Sequence, residues 1–223
     1  MDNGKSLENT YFPIFVDLRG SLVVVVGGGM VAARKVESLV KAGASVMVIA
    51  PKVVPEIASL PEVLVETREY EEDDLEGAQL VIAATDSEVI NRQVSEDARQ
   101  RNIFCNVVDR PELCSFIVPS VVERGPIKVA ISTGGFSPAL SRRLRLSIGN
   151  SIGDEYVTMA AILGTIRPLV RSMPGGSDDH RRIFELLIDS DLLDAIRTGD
   201  RPRAEDVLFQ ALGMRIDLRE IMP

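Results

Sequence analysis

The 223-residue chain has no tryptophan, one histidine and two cysteines, and each shortage removes a class of chemistry. With His180 alone, neither a histidine-based catalytic constellation nor a multi-histidine metal centre can be assembled, so no metal site is expected. His180 lies beside Asp178, Asp179, Arg181 and Arg182 and reads as an exposed helix start. Cys105 and Cys114 are spaced for neither a CxxC redox pair nor a zinc site, and both are expected to be reduced and structural. No run of about eighteen apolar residues occurs, and the opening MDNGKSLENT has no signal-peptide core, which predicts a cytoplasmic protein without a membrane span and with a loose leader. The formal net charge of −8 argues against the broad positive surface that non-specific nucleic-acid binding requires. Within this acidic chain, residues 133–153 contain no acid at all.

What is present is an ordinary soluble composition, 45% hydrophobic and 26% charged, in a chain long enough for one doubly wound domain and a smaller unit. Its organising stretch is LVVVVGGGMVAARK, residues 22–35. Four successive valines read as a strand buried on both faces. Gly27, Gly28 and Gly29 form the turn, and from Met30 the apolar residues Val31, Val36, Leu39 and Val40 follow helical spacing. Gly27, Gly29 and Ala32 fit G-x-G-x-x-G/A: the first glycine makes the tight turn, the second admits a pyrophosphate, and the third, small position lets helix and strand pack closely. A bland alternative is a glycine turn that serves packing alone. The free N–H groups and positive dipole end of the helix favour a phosphate site. The second strand, residues 45–49, ends in Ala50, Pro51 and Lys52 instead of the usual ribose-binding carboxylate. Backbone groups must then hold the ribose, and Lys52 leaves a 2′-phosphate open.

Further strands are expected at 63–67, 80–84 and 104–108, alternating with helices, the longest running from a cap at Thr85-Asp86-Ser87 to about Arg101. This alternation predicts an α/β Rossmann-type parallel sheet. A leading apolar segment, residues 11–16, is expected to pack beside the first strand, and the acidic residues 69–74 to form a solvated face. Ligands of such sheets bind beyond the carboxyl ends of the strands, where the glycine turn, Ala84 with Thr85, and Asp109 converge. Desolvation in that crevice would tune Asp109 for proton transfer; its bland alternative is a loop cap for neighbouring N–H groups.

Beyond Asp109 the alternation ends. Short strands are expected at 115–118, 121–123 and 127–132, in a small sheet that could pair between subunits, followed by a helix with Ser137 as N-cap and Pro138 at its first position. Arg142, Arg143 and Arg145 give that helix a cationic start suited to an anionic ligand, unless they are paired with acids elsewhere or simply solvated. The tail reads as helical: one face over Tyr156, Met159, Ala160, Leu163 and Ile166 interrupted by Pro168, a hinge at 173–177, and helices at 179–188, 191–198 and 203–212. The expected division is a dinucleotide-binding domain over 1–114, a dimerisation region over 115–149 and a helical domain over 150–223.

GGGMVAARK, AATD at 83–86, FCNVVDRPELCSFIVPS at 104–120 and STGGFSPALSRRLR at 132–145, in this order and spacing, resemble the precorrin-2 dehydrogenase family, which includes the N-terminal half of sirohaem synthase. The resemblance covers about residues 12–145. It implies NAD-dependent oxidation of precorrin-2 to sirohydrochlorin in a homodimer with interlocked central strands, and in some members insertion of ferrous iron as well. By position, Met30, Val31, Pro51 and Lys52 match the family's NAD-contacting sites and Asp109 its catalytic aspartate. Thr133 stands where a relative carries serine, with the hydroxyl retained. Precorrin-2 is multiply carboxylated, which gives the cationic helix, with Thr133, Ser137, Arg142, Arg143 and Arg145, a role in binding substrate. Two other readings stay open: an NAD(P)-sensing module, and an NADP-dependent dehydrogenase of another anionic small molecule.

Overall fold

The computed structural model describes residues 11–222; the leader expected to be loose, residues 1–10, lies outside them. The chain divides into two compact units, Met1–Val118 and Pro119–Pro223.

In the first unit, the strands β1 (Leu22–Val26), β2 (Ser45–Ile49), β3 (Leu64–Glu66), β4 (Leu80–Ala83) and β5 (Phe104–Val107) form one parallel sheet in the order β3-β2-β1-β4-β5. The helices are α1 (Met30–Lys41), the single turn α2 (Pro55–Ala58) and α3 (Glu88–Gln100). Residues 23–26 are buried in the centre of this sheet. Side chains of β1 alternate between two cores: Val23 and Val25 pack with Ala32, Val36 and Leu39 of α1, while Val24 and Val26 pack with Val94 and Ala98 of α3. A strand covered on both faces has no polar side to show, which is why four valines in a row belong there.

Three expectations for this unit are corrected. Residues 12–16 do not pack beside β1: Phe12 is 84% and Phe15 71% exposed, and it is Leu18 that enters the core. The acidic stretch 69–74 is not simply solvated. Asp74, at the end of a short 3₁₀ turn, is buried; it accepts hydrogen bonds of 2.9 and 2.6 Å from the Arg68 guanidinium and one of 2.8 Å from Glu71 N. Tyr70 is buried with its hydroxyl 3.0 Å from the Asp97 carboxylate. Residues 115–118 do not form a strand. They run along the outer edge of β5, but side chains make part of the pairing: Ser115 Oγ accepts from Cys105 N at 2.8 Å and Asn106 Nδ2 donates to Phe116 O at 3.1 Å.

In the second unit, β6 (Ser120–Arg124) and β7 (Ile127–Ile131) form an antiparallel hairpin with Arg124 opposite Ile127. Gly125, at φ +52°, opens its two-residue turn, a position that favours glycine. The helices α4 (Pro138–Ser151), α5 (Asp154–Ser172), α6 (Ser177–Ile188), α7 (Leu192–Arg197) and α8 (Arg201–Leu212) follow. Ile162, Ile166 and Val170 of α5 meet Leu187, Leu192 and Leu208 in one core. The helix α5 passes through Pro168 and ends four residues later, so the expected interruption does not occur; packing of Ile166 and Val170 on either side holds the helix together across the missing N–H. The turn at 173–177, expected as a hinge, is tied down: Gly176 N donates to Asp179 Oδ2 at 2.9 Å, and His180 Nε2 lies 3.1 Å from Met173 O. Among the described residues no helix is long and apolar enough to cross a membrane.

The Asp74 cluster yields a stability prediction. Burial pushes the Asp74 carboxyl up, but the Arg68 guanidinium and the Glu71 N–H outweigh it and hold the group below its ordinary value of 3.8. Such a group stabilises the fold above its unfolded pKa, and the contribution is lost as pH falls through the folded one. Asp74→Asn is expected to cost about 1–3 kcal/mol near neutral pH. Urea denaturation across pH should show the gap closing progressively below about pH 4; a gap that stays constant contradicts the assignment.

Candidate functional site at the carboxyl edge of the parallel sheet

The strand order reverses between β1 and β4, so the chain leaves these two neighbouring strands in different directions and opens a crevice beyond their carboxyl ends. Backbone hydrogen bonds continue past the strand ends and fix this edge. Gly27 N donates to Ile49 O at 2.9 Å, Ala84 N to Val26 O at 2.8 Å, and Val108 N to Ala83 O at 2.9 Å. The glycine turn, the Ala84-Thr85 corner and the turn carrying Asp109 are thereby placed side by side, as expected.

The three glycines answer three different demands. Gly27 has φ +127°, and a Cβ on it would come within 2.3 Å of Ala84 O. A Cβ on Gly28 would come within 2.0 Å of Lys52 O, and Gly28 O accepts from Val54 N at 2.8 Å. Gly29 faces open space. It is the N-cap of α1, which has no side-chain cap and no acid in its first turn. The N–H groups of Met30, Val31 and Ala32 are left for an anion, at the positive end of the helix dipole. Met30 and Val31 are exposed beside it, and Ala32 is fully buried, as the third position of the motif demands. An uncapped helix start beside a glycine open to solvent fits the diphosphate of a dinucleotide. Pro51 and Lys52 are also exposed on this edge.

Two further side chains shape the rest of the edge: Asn91, for which no role was expected, and Cys114, expected to be reduced and structural. Asn91, buried on α3, donates to Thr85 O at 2.9 Å, and its Oδ1 accepts from Thr85 Oγ1 at 2.8 Å. A polar residue on the buried face of an otherwise amphipathic helix was the available signal. Cys114 braces the turn after β5. Its sulfur accepts from Val107 N at 3.2 Å and lies 3.3 Å from both Val107 O and Arg110 O, which share its single S–H. Burial raises the thiol above its ordinary value, so the proton needed for this contact is retained. Both cysteines are free.

Asp109 sits in this braced turn at φ +58°, with Arg110 N donating to Val107 O at 3.3 Å. Arg110 ties the same turn to α3 through Glu88 at 3.1 Å. The expected desolvation is absent, because Asp109 is exposed on the turn. The loop-cap alternative fails as well: among the described residues the Asp109 carboxylate makes no hydrogen bond.

In the second unit, Thr133 and Ser137 hold the start of α4. Ser137 Oγ accepts from Leu140 N at 3.2 Å; Thr133 Oγ1 accepts from Ser137 N at 3.0 Å and lies 3.2 Å from Ser141 Oγ. Arg142 and Arg143 are exposed and Arg145 half-buried. Among the described residues none of the three arginines has an ion-pair partner.

Residues 14–120 match a family model described as putative NAD(P)-binding, and residues 124–151 one described as the central part of a sirohaem biosynthesis protein. The siroheme synthase of Thioalkalivibrio sulfidiphilus is 42% identical over 215 residues, covering 94% of this chain. The chain is similar to siroheme synthases over nearly all of its own length. It spans less than half the length of these relatives, 44% of the Thioalkalivibrio siroheme synthase and 45% of that of Methylobacillus flagellatus, which is also 42% identical. The fold matches that of SirC, a precorrin-2 dehydrogenase, with a TM-score of 0.76 and 22% identity over 92% of this chain and all of that one. The NAD(P)-binding match falls on the sheet whose edge carries the open glycine.

The different surroundings of the glycines predict different failures. Gly29→Asp is expected to leave the melting temperature nearly unchanged and to weaken NAD binding by at least about a hundredfold, through repulsion at the phosphate position. Gly28→Ala is expected to lower stability, because the Lys52 carbonyl must move. Calorimetric titration beside thermal melting checks both; unchanged NAD affinity in Gly29→Asp contradicts the phosphate cradle.

Proposed function

We propose that this chain oxidises precorrin-2 to sirohydrochlorin with NAD, in the cytoplasm, and that the chemistry is run from the carboxyl edge of the parallel sheet. The observation that carries the reading is Asp109, an exposed and unbonded carboxylate in a braced left-handed turn on the same edge as an uncapped, glycine-led helix start. The name of the structural relative, a precorrin-2 dehydrogenase, supports the same substrate.

Bound NAD supplies the hydride acceptor. Gly27 and Gly28 give the turn its shape, and Gly29 with the N–H groups of Met30 and Val31 holds the diphosphate. Pro51 and Lys52 border the ribose, which backbone groups bind in place of the absent carboxylate. Ala84 and Thr85, fixed by Asn91, form the floor beside the reacting ring. Asp109 accepts the proton released as the C–H hydride leaves, or holds a ring nitrogen of the macrocycle while it does so. Arg142, Arg143 and Arg145 draw the substrate carboxylates, whichever copy of the chain supplies them, and Thr133 and Ser137 fix the helix that carries them. The protein acts as a homodimer, a reading supported by the exposed apolar side chains Val121, Leu140 and Leu144 on β6 and α4. Ferrous iron is a second substrate in this scheme, with Asp109 taking the pyrrole protons. Among the described residues no three His, Cys, Asp or Glu side chains come together to hold it.

An anaerobic assay with precorrin-2 and either NAD or NADP tests the reading: the sirohydrochlorin spectrum should develop, faster with NAD. Asp109→Asn and Asp109→Gly both suit a left-handed turn, so both are expected to fold at least as stably as the native chain while turnover drops by about a hundredfold or more. Full turnover in either variant sinks the role given to Asp109.

A further inference from the structure

The helix α1 carries a cation that the scheme above leaves idle. Lys35 is half-buried, and among the described residues it has no ion-pair partner. Its place on the helix directs it. Residues three and four apart share a face, so Lys35 stands behind Ala32 and Val31, and side chains on a helix lean toward its N-terminus. The N-terminus of α1 lies at the carboxyl edge of the sheet, so the four-carbon stem carries the ammonium toward that edge. Val108 reaches the same place from the other side: it packs against the cluster that contains Ala32, Ala33 and Val36, and Asp109 is the next residue.

Some of the charges on these elements are already engaged. Glu37 of α1 pairs with Lys41 at 2.8 Å, and Arg110 pairs with Glu88 and Glu112 at 3.1 and 3.8 Å. Arg34, Lys52 and Asp86 are exposed and, like Lys35 and Asp109, have no ion-pair partner among the described residues; of these cations Lys35 alone is half-buried, and it and Asp109 lie one on each side of the Val108 contact.

We propose that Lys35 is the positioning residue for Asp109, a half-buried ammonium whose field holds the ionised carboxylate toward the reacting edge of the sheet. The field also favours a negatively charged substrate there. The titration of Lys35 agrees with this placement: burial pulls the ammonium below the ordinary lysine value, and the charge of Asp109 opposes the fall. The catalytic half of the proposal rests on the role given to Asp109 above; the electrostatic half does not.

Nuclear magnetic resonance titration of the lysine Nζ groups in the full-length isotope-labelled chain tests the electrostatic half without any substrate. Asp109→Asn should move the Lys35 midpoint to lower pH, because the opposing charge has gone; an unmoved midpoint overturns the proposal. For the catalytic half, Lys35→Met should lower kcat for precorrin-2 oxidation roughly tenfold while leaving the NAD dissociation constant within about twofold. Lys35→Arg, which keeps the charge, should recover most of the rate. Introduced into Asp109→Asn, Lys35→Met should cost nothing more. The same tenfold loss in both backgrounds would mean that Lys35 acts independently of Asp109, and would overturn the proposal. Failure of the native chain to oxidise precorrin-2 would remove the function proposed above, and the titration would still decide whether the two charges are coupled.

Discussion

Two carbonyl oxygens, those of Ala84 and Lys52, leave no room for side chains on the turn that follows β1. A Cβ at Gly27 would sit 2.3 Å from the first and one at Gly28 2.0 Å from the second, both far inside van der Waals contact. This close approach lets the ends of β1, β2 and β4 share one edge and lets α1 start directly above it. Only the third glycine is spared, and it faces open space. The proposed cofactor cradle is therefore what remains once packing has claimed the other two positions. Packing accounts for two of the three glycines, and the last is left open at the helix start where the diphosphate is proposed to bind.

The parallel sheet was legible because its physics is local. Residues 22–26 and 80–83 are uniformly apolar, since both faces of each strand are covered, and the turns between elements carry their own glycine and capping signals. Elements went wrong where the decisive partner lay elsewhere in the chain. Residues 115–118 have strand-like composition, but they border β5 partly through the Ser115 hydroxyl and the Asn106 amide, which no alternation pattern encodes. Asp74 belongs to an acidic run by composition and to the interior by its bidentate partner Arg68. Pro168 reads as a breaker, yet the core residues two positions to either side keep α5 intact. Of the proposed site, the glycines, Thr85 and Asp109 were legible as strand-end residues of a recognisable fold. Asn91 and Lys35 were not, because each acts across a gap in sequence: six residues from Thr85 for Asn91, and a different element altogether for Lys35. Cys114 was legible as a reduced structural thiol, but not as the brace of the turn that carries Asp109.

Two described residues other than glycine have positive φ, Asn102 at 57° and Asp109 at 58°. Asn102 has a routine explanation. It follows the C-cap of α3, with Ile103 N donating to Ala98 O at 2.8 Å and Asn102 N to Arg99 O at 3.3 Å, the closure by which helices commonly end on a left-handed residue. Asp109 ends no helix and caps nothing. It occupies the third position of a tight turn where glycine or asparagine would cost less, and a left-handed residue of this kind costs on the order of 1 kcal/mol. The surroundings supply the difference: the Cys114 thiol grips Val107 and Arg110 on either side, and Arg110 is anchored to Glu88. The contacts that hold this position would serve glycine equally well, so packing gives no reason for an aspartate there, which is what the proposed role of its carboxylate would supply. Asp109 is exposed, so the backbone of the turn, and not burial, sets its carboxylate apart.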